Sequence, residues 1–198
     1  PLFGERFDKT DKNSPEVVED LVSQALFVLN SPPLGIIVQE DLISLDFLSS
    51  LEFVDKENIG CIGHSFGGTR CNYLAGLDER IKATVMINSV AYFVSDRVIP
   101  RSWFSILPGL GEFTGKRGLL SLIAPRAMMI VYTEKDPIFP VEEARNITVS
   151  LNKLYEKIES ESNFDSVYIP NESHTFPSKY HEEVYLFLDK HLKNNSKI

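Results

Sequence analysis

Cysteine, tryptophan and methionine are scarce in this 198-residue chain, which holds two, one and three of them. Two cysteines allow one bridge at most, and neither Cys61 nor Cys71 has partners at metal-ligand spacing. No metal and no cofactor is therefore expected. The thiols are expected reduced and buried rather than bridged, which points to a reducing, cytoplasmic setting. Basic residues are also short: 20 Lys and Arg against 28 Asp and Glu leave a formal charge of −8. That balance offers no basic face, so neither nucleic acid nor an anionic membrane surface is an expected partner. No apolar run is long enough to span a bilayer.

What is present is the composition of an ordinary globular protein, 43% apolar. The length suits one domain that buries its core without disulfides or a structural metal. No repeat, low-complexity tract or linker divides residues 1–198. A homo-oligomer is compatible with this composition but is not required by it. The chain opens on Pro1 rather than Met, so its start says nothing about a leader segment.

The apolar pattern alternates between two periods. Ser14-Pro15-Glu16 is a helix start, and Val18, Leu21, Val22, Ala25, Leu26 and Leu29 follow at helical spacing until Pro32-Pro33. A second helix carries Leu42, Ile43, Leu45, Phe47, Leu48 and Leu51 on a broad apolar surface. Short apolar runs at 58–62, 83–87, 127–132 and 166–169 read as buried strands, with helices at 67–77, 141–158 and 180–192. Continuous apolar strands separated by helices predict an α/β fold, a mostly parallel sheet covered on both faces.

The first strand runs into Gly63-His64-Ser65-Phe66-Gly67, and a helix follows. A serine hydroxyl needs a fixed geometry and a base before it attacks anything. A strand–Gly-x-Ser-x-Gly–helix turn supplies the geometry, holding the serine in strained angles between residues without bulk. Gly63 and Gly67 are expected to give that clearance, and Gly68 to ease the approach of the helix to the sheet. Ser65 is the candidate nucleophile, and the Phe66 N–H at the helix start is the first oxyanion donor.

An acid and then a histidine should follow, each just beyond a later strand. Asp136 lies in the exit loop of the 127–132 strand, with Glu134 as its nearest competitor. His174 lies in the loop after the last strand, whereas His181 and His191 fall within the closing helix as packing or solvent-facing residues. His64 adjoins the nucleophile but is expected to diverge from it. With Trp103, Phe104 and Phe139, His64 is a candidate for lining the substrate side. The stretch 91–123, rich in Gly, Pro and aromatics, breaks the alternation and reads as a cap-like insertion. Each of its rings is equally well read as local packing against the sheet edge.

The run from Val54 to Gly68 resembles the α/β-hydrolase group that contains dienelactone hydrolase-like and acetyl xylan esterase-like enzymes. Leu77-Asp78-Glu79-Arg80-Ile81-Lys82-Ala83, Leu122-Ile123-Ala124-Pro125-Arg126 and Asp136-Pro137-Ile138-Phe139-Pro140 are similar to the same group. The resemblance implies a catalytic triad of Ser65, Asp136 and His174. It also implies a small-molecule ester substrate, with acetyl or another small acyl group preferred. Its alternatives are a peptidase or amidase on the same residues, or a non-catalytic binding subunit. In that group a segment like Leu2-Phe3-Gly4-Glu5-Arg6 comes just after the fourth strand. The resemblance thus implies a chain that starts mid-domain, a fragment without the first strands and without the second oxyanion donor.

Overall fold

The computed structural model describes residues 15–91, 107–110 and 115–193. Two helices come first, α1 (Pro15–Val28) and α2 (Pro33–Ser50). Strand β1 (Ile59–His64), helix α3 (Phe66–Leu77) and strand β2 (Ile81–Ile87) follow. Then come helix α4 (Gly115–Ser121), strand β3 (Ala127–Thr133), helix α5 (Val141–Lys157), strand β4 (Phe164–Ile169) and helix α6 (His181–Leu192).

The strands form one sheet in the order β1-β2-β3-β4, every pair parallel. Strands laid down in sequence by right-handed crossovers put all their connecting helices on one face. Accordingly Cys71 and Ala75 of α3, Leu120 of α4, and Ile147, Leu151 and Tyr155 of α5 share a core with Met86, Met128 and Ile130. The alternate strand residues Val85, Met129, Val131 and Val167 face the other way, where Val184 and Phe187 of α6 cover them. Burial on both faces explains the continuous apolar runs of β2 and β3, whereas β1 and β4, at the edges of the described sheet, leave Ile62 and Tyr168 exposed and are not the buried strands expected.

Two expectations shift. In α2 the buried residues are Pro33, Leu34, Ile37, Val38 and Leu45, while Ile43, Phe47 and Leu48 lie exposed. The helix is anchored by its first half and by a two-point ion pair from Arg70 of α3 to Asp41. Of the stretch 91–123, residues 92–106 and 111–114 lie outside the described residues, and with them Trp103 and Phe104. Its last part is core rather than cap: Leu119, Leu120 and Ile123 are all buried. The segment from Leu2 to Arg6 also lies outside the described residues.

The register brings the strand ends level. His64 lies opposite Ile87, Ile87 opposite Val131, and Thr133 opposite Ile169. The loops after β1, β3 and β4 therefore open along one carboxyl edge of the sheet, the usual ligand crevice of open α/β sheets.

Candidate active site

Ser65 sits where β1 turns into α3, with φ 57° and ψ −124°, outside the region an ordinary side chain prefers. Its N–H donates to the Ile87 carbonyl at 2.8 Å, and its carbonyl accepts the Thr69 N–H at 3.1 Å. The clearance comes from Gly63 and Gly68. A Cβ at Gly63 would lie 2.3 Å from the Gly67 backbone, and one at Gly68 would lie 2.3 Å from Ser89 Oγ and 2.9 Å from the Gly63 carbonyl. Gly67, expected to be part of that clearance, faces open space with nothing within 4 Å of a Cβ. The crowded positions are thus those where α3 comes close to the end of β1 and to Ser89. Phe66 opens α3, and first-turn N–H groups point out of a helix end toward whatever lies beyond it.

Asp136 follows β3 and its side chain is 1% exposed. Oδ1 accepts the N–H groups of Ile138 at 2.8 Å and Phe139 at 2.9 Å. Oδ2 is bonded to His174 Nδ1 at 2.7 Å. A buried carboxylate that accepts three hydrogen bonds is fixed in place, and it holds the imidazole with Nδ1 as donor and Nε2 directed away from the acid. A carboxylate–imidazole pair of this kind, on the same sheet edge as Ser65, has the chemistry to act as an acid–base couple.

The His174 ring has two ring neighbours. The His64 ring lies 4.7 Å away and tilted by 40°, and the Phe139 ring lies 5.8 Å away and nearly parallel at 17°. His64 thus does not diverge from the site, as adjacency in a tight turn suggested. As the last residue of β1, His64 reaches the His174 ring from the strand end. Burial pushes the His64 pKa below its ordinary value, and the neighbouring His174 pushes it the same way against the pull of Asp136. His64 and Phe139 thus both pack against the imidazole.

The remaining candidates part from the site. Glu134, the competing acid, is exposed and accepts the Asn171 N–H at 2.7 Å and a hydrogen bond from Tyr168, which hold its carboxyl below the usual range. His181 packs on Phe176 at 4.5 Å, and His191 on Phe187 at 4.7 Å. Cys61 and Cys71 are free thiols. Cys61 lies 3.1 Å from Thr84 Oγ1. The resemblance segments at Leu77–Ala83 and Leu122–Arg126 meet at the opposite end of the sheet. There Arg126 Nη1 donates to the carbonyls of Asp78 and Ile81 at 3.0 and 2.9 Å, so their role is to join β2 and β3. A depression of about 430 Å³ between β4 and α6, lined by Asp165, Lys179, Glu182 and Leu186 among others, shares no lining residue with the site.

Sequence reasoning missed one residue at this edge. Asn88, directly after β2, is 1% exposed with φ 45° and donates from Nδ2 to the Thr175 carbonyl at 2.9 Å. The signal was available: a polar residue directly after the apolar run Val85-Met86-Ile87 stands at the same edge as the other strand-end loops.

Comparison with known proteins places the chain in a family. The family model "BAAT / Acyl-CoA thioester hydrolase C terminal" matches residues 43–166, more than half of the chain. The chain belongs to this family. The match takes in Ser65 and Asp136 and stops short of His174. The family and fold together put the chain in the α/β-hydrolase superfamily that the motifs indicated. A Bacillus subtilis (strain 168) protein described as "Putative hydrolase YtaP" is 29% identical over 125 residues, 61% of this chain and 42% of its own length. "Uncharacterized peptidase YuxL" from the same strain is 23% identical over 140 residues, 65% of this chain and 20% of its own. Among solved structures, the methylesterase BT1017 superposes with a TM-score of 0.64 at 24% identity, covering 79% of this chain and 35% of that one. A glucuronoyl esterase from Solibacter usitatus gives 0.66 at 14%, covering 79% and 48%. These structural likenesses establish the fold. The chain spans less than half the length of each of these four proteins.

Proposed function

We propose that this chain carries a serine-hydrolase centre that cleaves carboxylic esters through an acyl-enzyme on Ser65. The observation that carries this reading is the 2.7 Å bond between Asp136 and His174 at the sheet edge where Ser65 stands in its strained turn. In the first step His174 Nε2 takes the Ser65 proton as the oxygen attacks the acyl carbonyl, and Asp136 stabilises the imidazolium that forms. The Phe66 N–H donates to the oxyanion. His174 then gives its proton to the leaving alcohol, and water, activated by the same imidazole, releases the acid and frees Ser65. His64 and Phe139 hold the imidazole plane throughout. A small-molecule ester with a small acyl group such as acetyl is the substrate class that the motif resemblance favours.

The family description favours a second leaving group, the thiol of an acyl thioester, on the same residues. The two readings share every step up to the acyl-enzyme and differ in what His174 protonates. Hydrolysis of p-nitrophenyl acetate should vanish in Ser65→Ala and His174→Ala, with the fold retained by circular dichroism. Persistence of wild-type turnover in Ser65→Ala overturns the proposal, and loss in His181→Ala instead of His174→Ala reassigns the base. Thiol release from acetyl-CoA, set against p-nitrophenol release by the same enzyme, decides between ester and thioester.

A further inference from the structure

The end of β2 touches both halves of the site. The Ile87 carbonyl accepts the Ser65 N–H at 2.8 Å, and the next residue, Asn88, reaches the other way. The Asn88 N–H donates to the Val131 carbonyl at 2.8 Å, which locks the residue between β2 and β3. Its side-chain Nδ2 donates to the carbonyl of Thr175, the residue directly after His174. Thr175 in turn closes a tight turn around the histidine, its N–H donating to the Ser173 carbonyl at 2.8 Å. One dipeptide thus fixes the nucleophile's backbone on one side and the base's turn on the other.

Packing does not account for an asparagine here. The side chain is 1% exposed, and its Oδ1 has no hydrogen-bond partner among the described residues. Half of a buried amide left unpaired is a cost that an apolar residue of the same volume would avoid. The left-handed φ of 45° is tolerated by asparagine, yet glycine would meet that need with no polar group at all. What only the amide supplies is the bond to Thr175.

We propose that Asn88 is a positioning residue that, through the Thr175 carbonyl, sets the reach of His174 toward Ser65. The Ile87 carbonyl holds Ser65 at the other end of the same gauge. Asn88 touches no reacting atom, and this role rests on the serine-hydrolase reading above. A displacement of the imidazole by about 1 Å is enough to lower turnover about a hundredfold.

The test compares Asn88→Gly, which keeps the backbone conformation and removes the amide, with Asn88→Asp, which keeps the shape and sets an oxygen against the Thr175 carbonyl. With p-nitrophenyl acetate, kcat should fall about 10- to 100-fold in both variants with KM within about twofold of wild type. The downfield proton resonance of His174 Nδ1–H, present in the wild type through its bond to Asp136, should broaden or vanish in both. Wild-type kcat or an unchanged resonance in a folded Asn88→Gly overturns the inference. If glycine at this position does not fold, Asn88→Asp gives the same readouts. The resonance reports the turn without reference to turnover. Failure of the hydrolase reading, seen as full activity in Ser65→Ala, is therefore distinct from failure of this one.

Discussion

The turn that carries Ser65 is shaped mostly by residues within a few positions of it, whereas the loop that carries His174 is shaped by residues far away in sequence. In the first, Gly63 and Gly68 leave no room for a side chain, and the crossing of β1 and α3 forces the serine to φ 57°. In the second, Glu134 accepts the Asn171 N–H, the Lys135 N–H donates to the Glu172 carbonyl at 2.8 Å, and Asn88 holds Thr175. The Ser65 turn is placed mostly by steric exclusion, with one bond to Ile87, and the His174 loop by hydrogen bonds from residues just after β2 and β3. Steric placement fails all at once, because backbone cannot yield. Placement by several bonds fails by degrees, because each bond contributes only about 1 kcal/mol.

The largest effect should come from breaking the steric side. Gly63→Ala sets a Cβ 2.3 Å from the Gly67 backbone, and a loss above about 4 kcal/mol in urea unfolding is expected, enough to prevent folding in a marginal domain. Next comes the joint between the two regions. Asp136→Asn keeps the shape but favours the wrong imidazole tautomer, and kcat should fall by about four orders of magnitude with little change in stability.

Smaller effects test the bonded side. Glu134 has its carboxyl held below the ordinary range, first by the Asn171 N–H and then by Tyr168. A carboxylate lowered in the folded state adds stability above its unfolded pKa and loses it as pH falls through the folded one. The advantage of the wild type over Glu134→Gln, measured by urea unfolding, should be present at pH 7 and shrink below about pH 4.5. Activity at neutral pH should drop only a few-fold, since the other bonds remain. His64 titrates below its ordinary value, so the unfolded chain binds its proton more readily than the folded one. Stability should therefore decline as pH falls below about 6.5, and His64→Phe, which keeps a ring beside His174, should flatten that decline. The smallest effect belongs to Gly67→Ala. Its Cβ meets nothing within 4 Å at a position inside α3, so the helix should gain up to about 1 kcal/mol. A destabilisation there would contradict the assignment of clearance to Gly63 and Gly68.

The same division explains what the sequence makes legible. The four strands and the helices α3, α5 and α6 end within a few residues of where the apolar period places them, because that signal is local, whereas it misses the start of α2 at Pro33 and the whole of α4. The positions of Ser65, Asp136 and His174 just beyond strand ends are legible through chain order. Asn88 and the true orientation of His64 are not, since both depend on which strands lie side by side. The exposed Ile43, Phe47 and Leu48 of α2 mislead for the same reason. An apolar helical stripe shows that a face is apolar, but its burial depends on what the rest of the fold brings to it.

The proposed centre stands or falls on Ser65 as a nucleophile armed by His174 and Asp136. The most direct measurement is labelling of the folded chain with a fluorophosphonate, followed by peptide mass spectrometry. The account predicts a single adduct on the Ser65 peptide, abolished in Ser65→Ala and slowed at least a thousandfold in His174→Ala. An unlabelled Ser65 in the folded wild type, or an adduct formed at the same rate without His174, would contradict it.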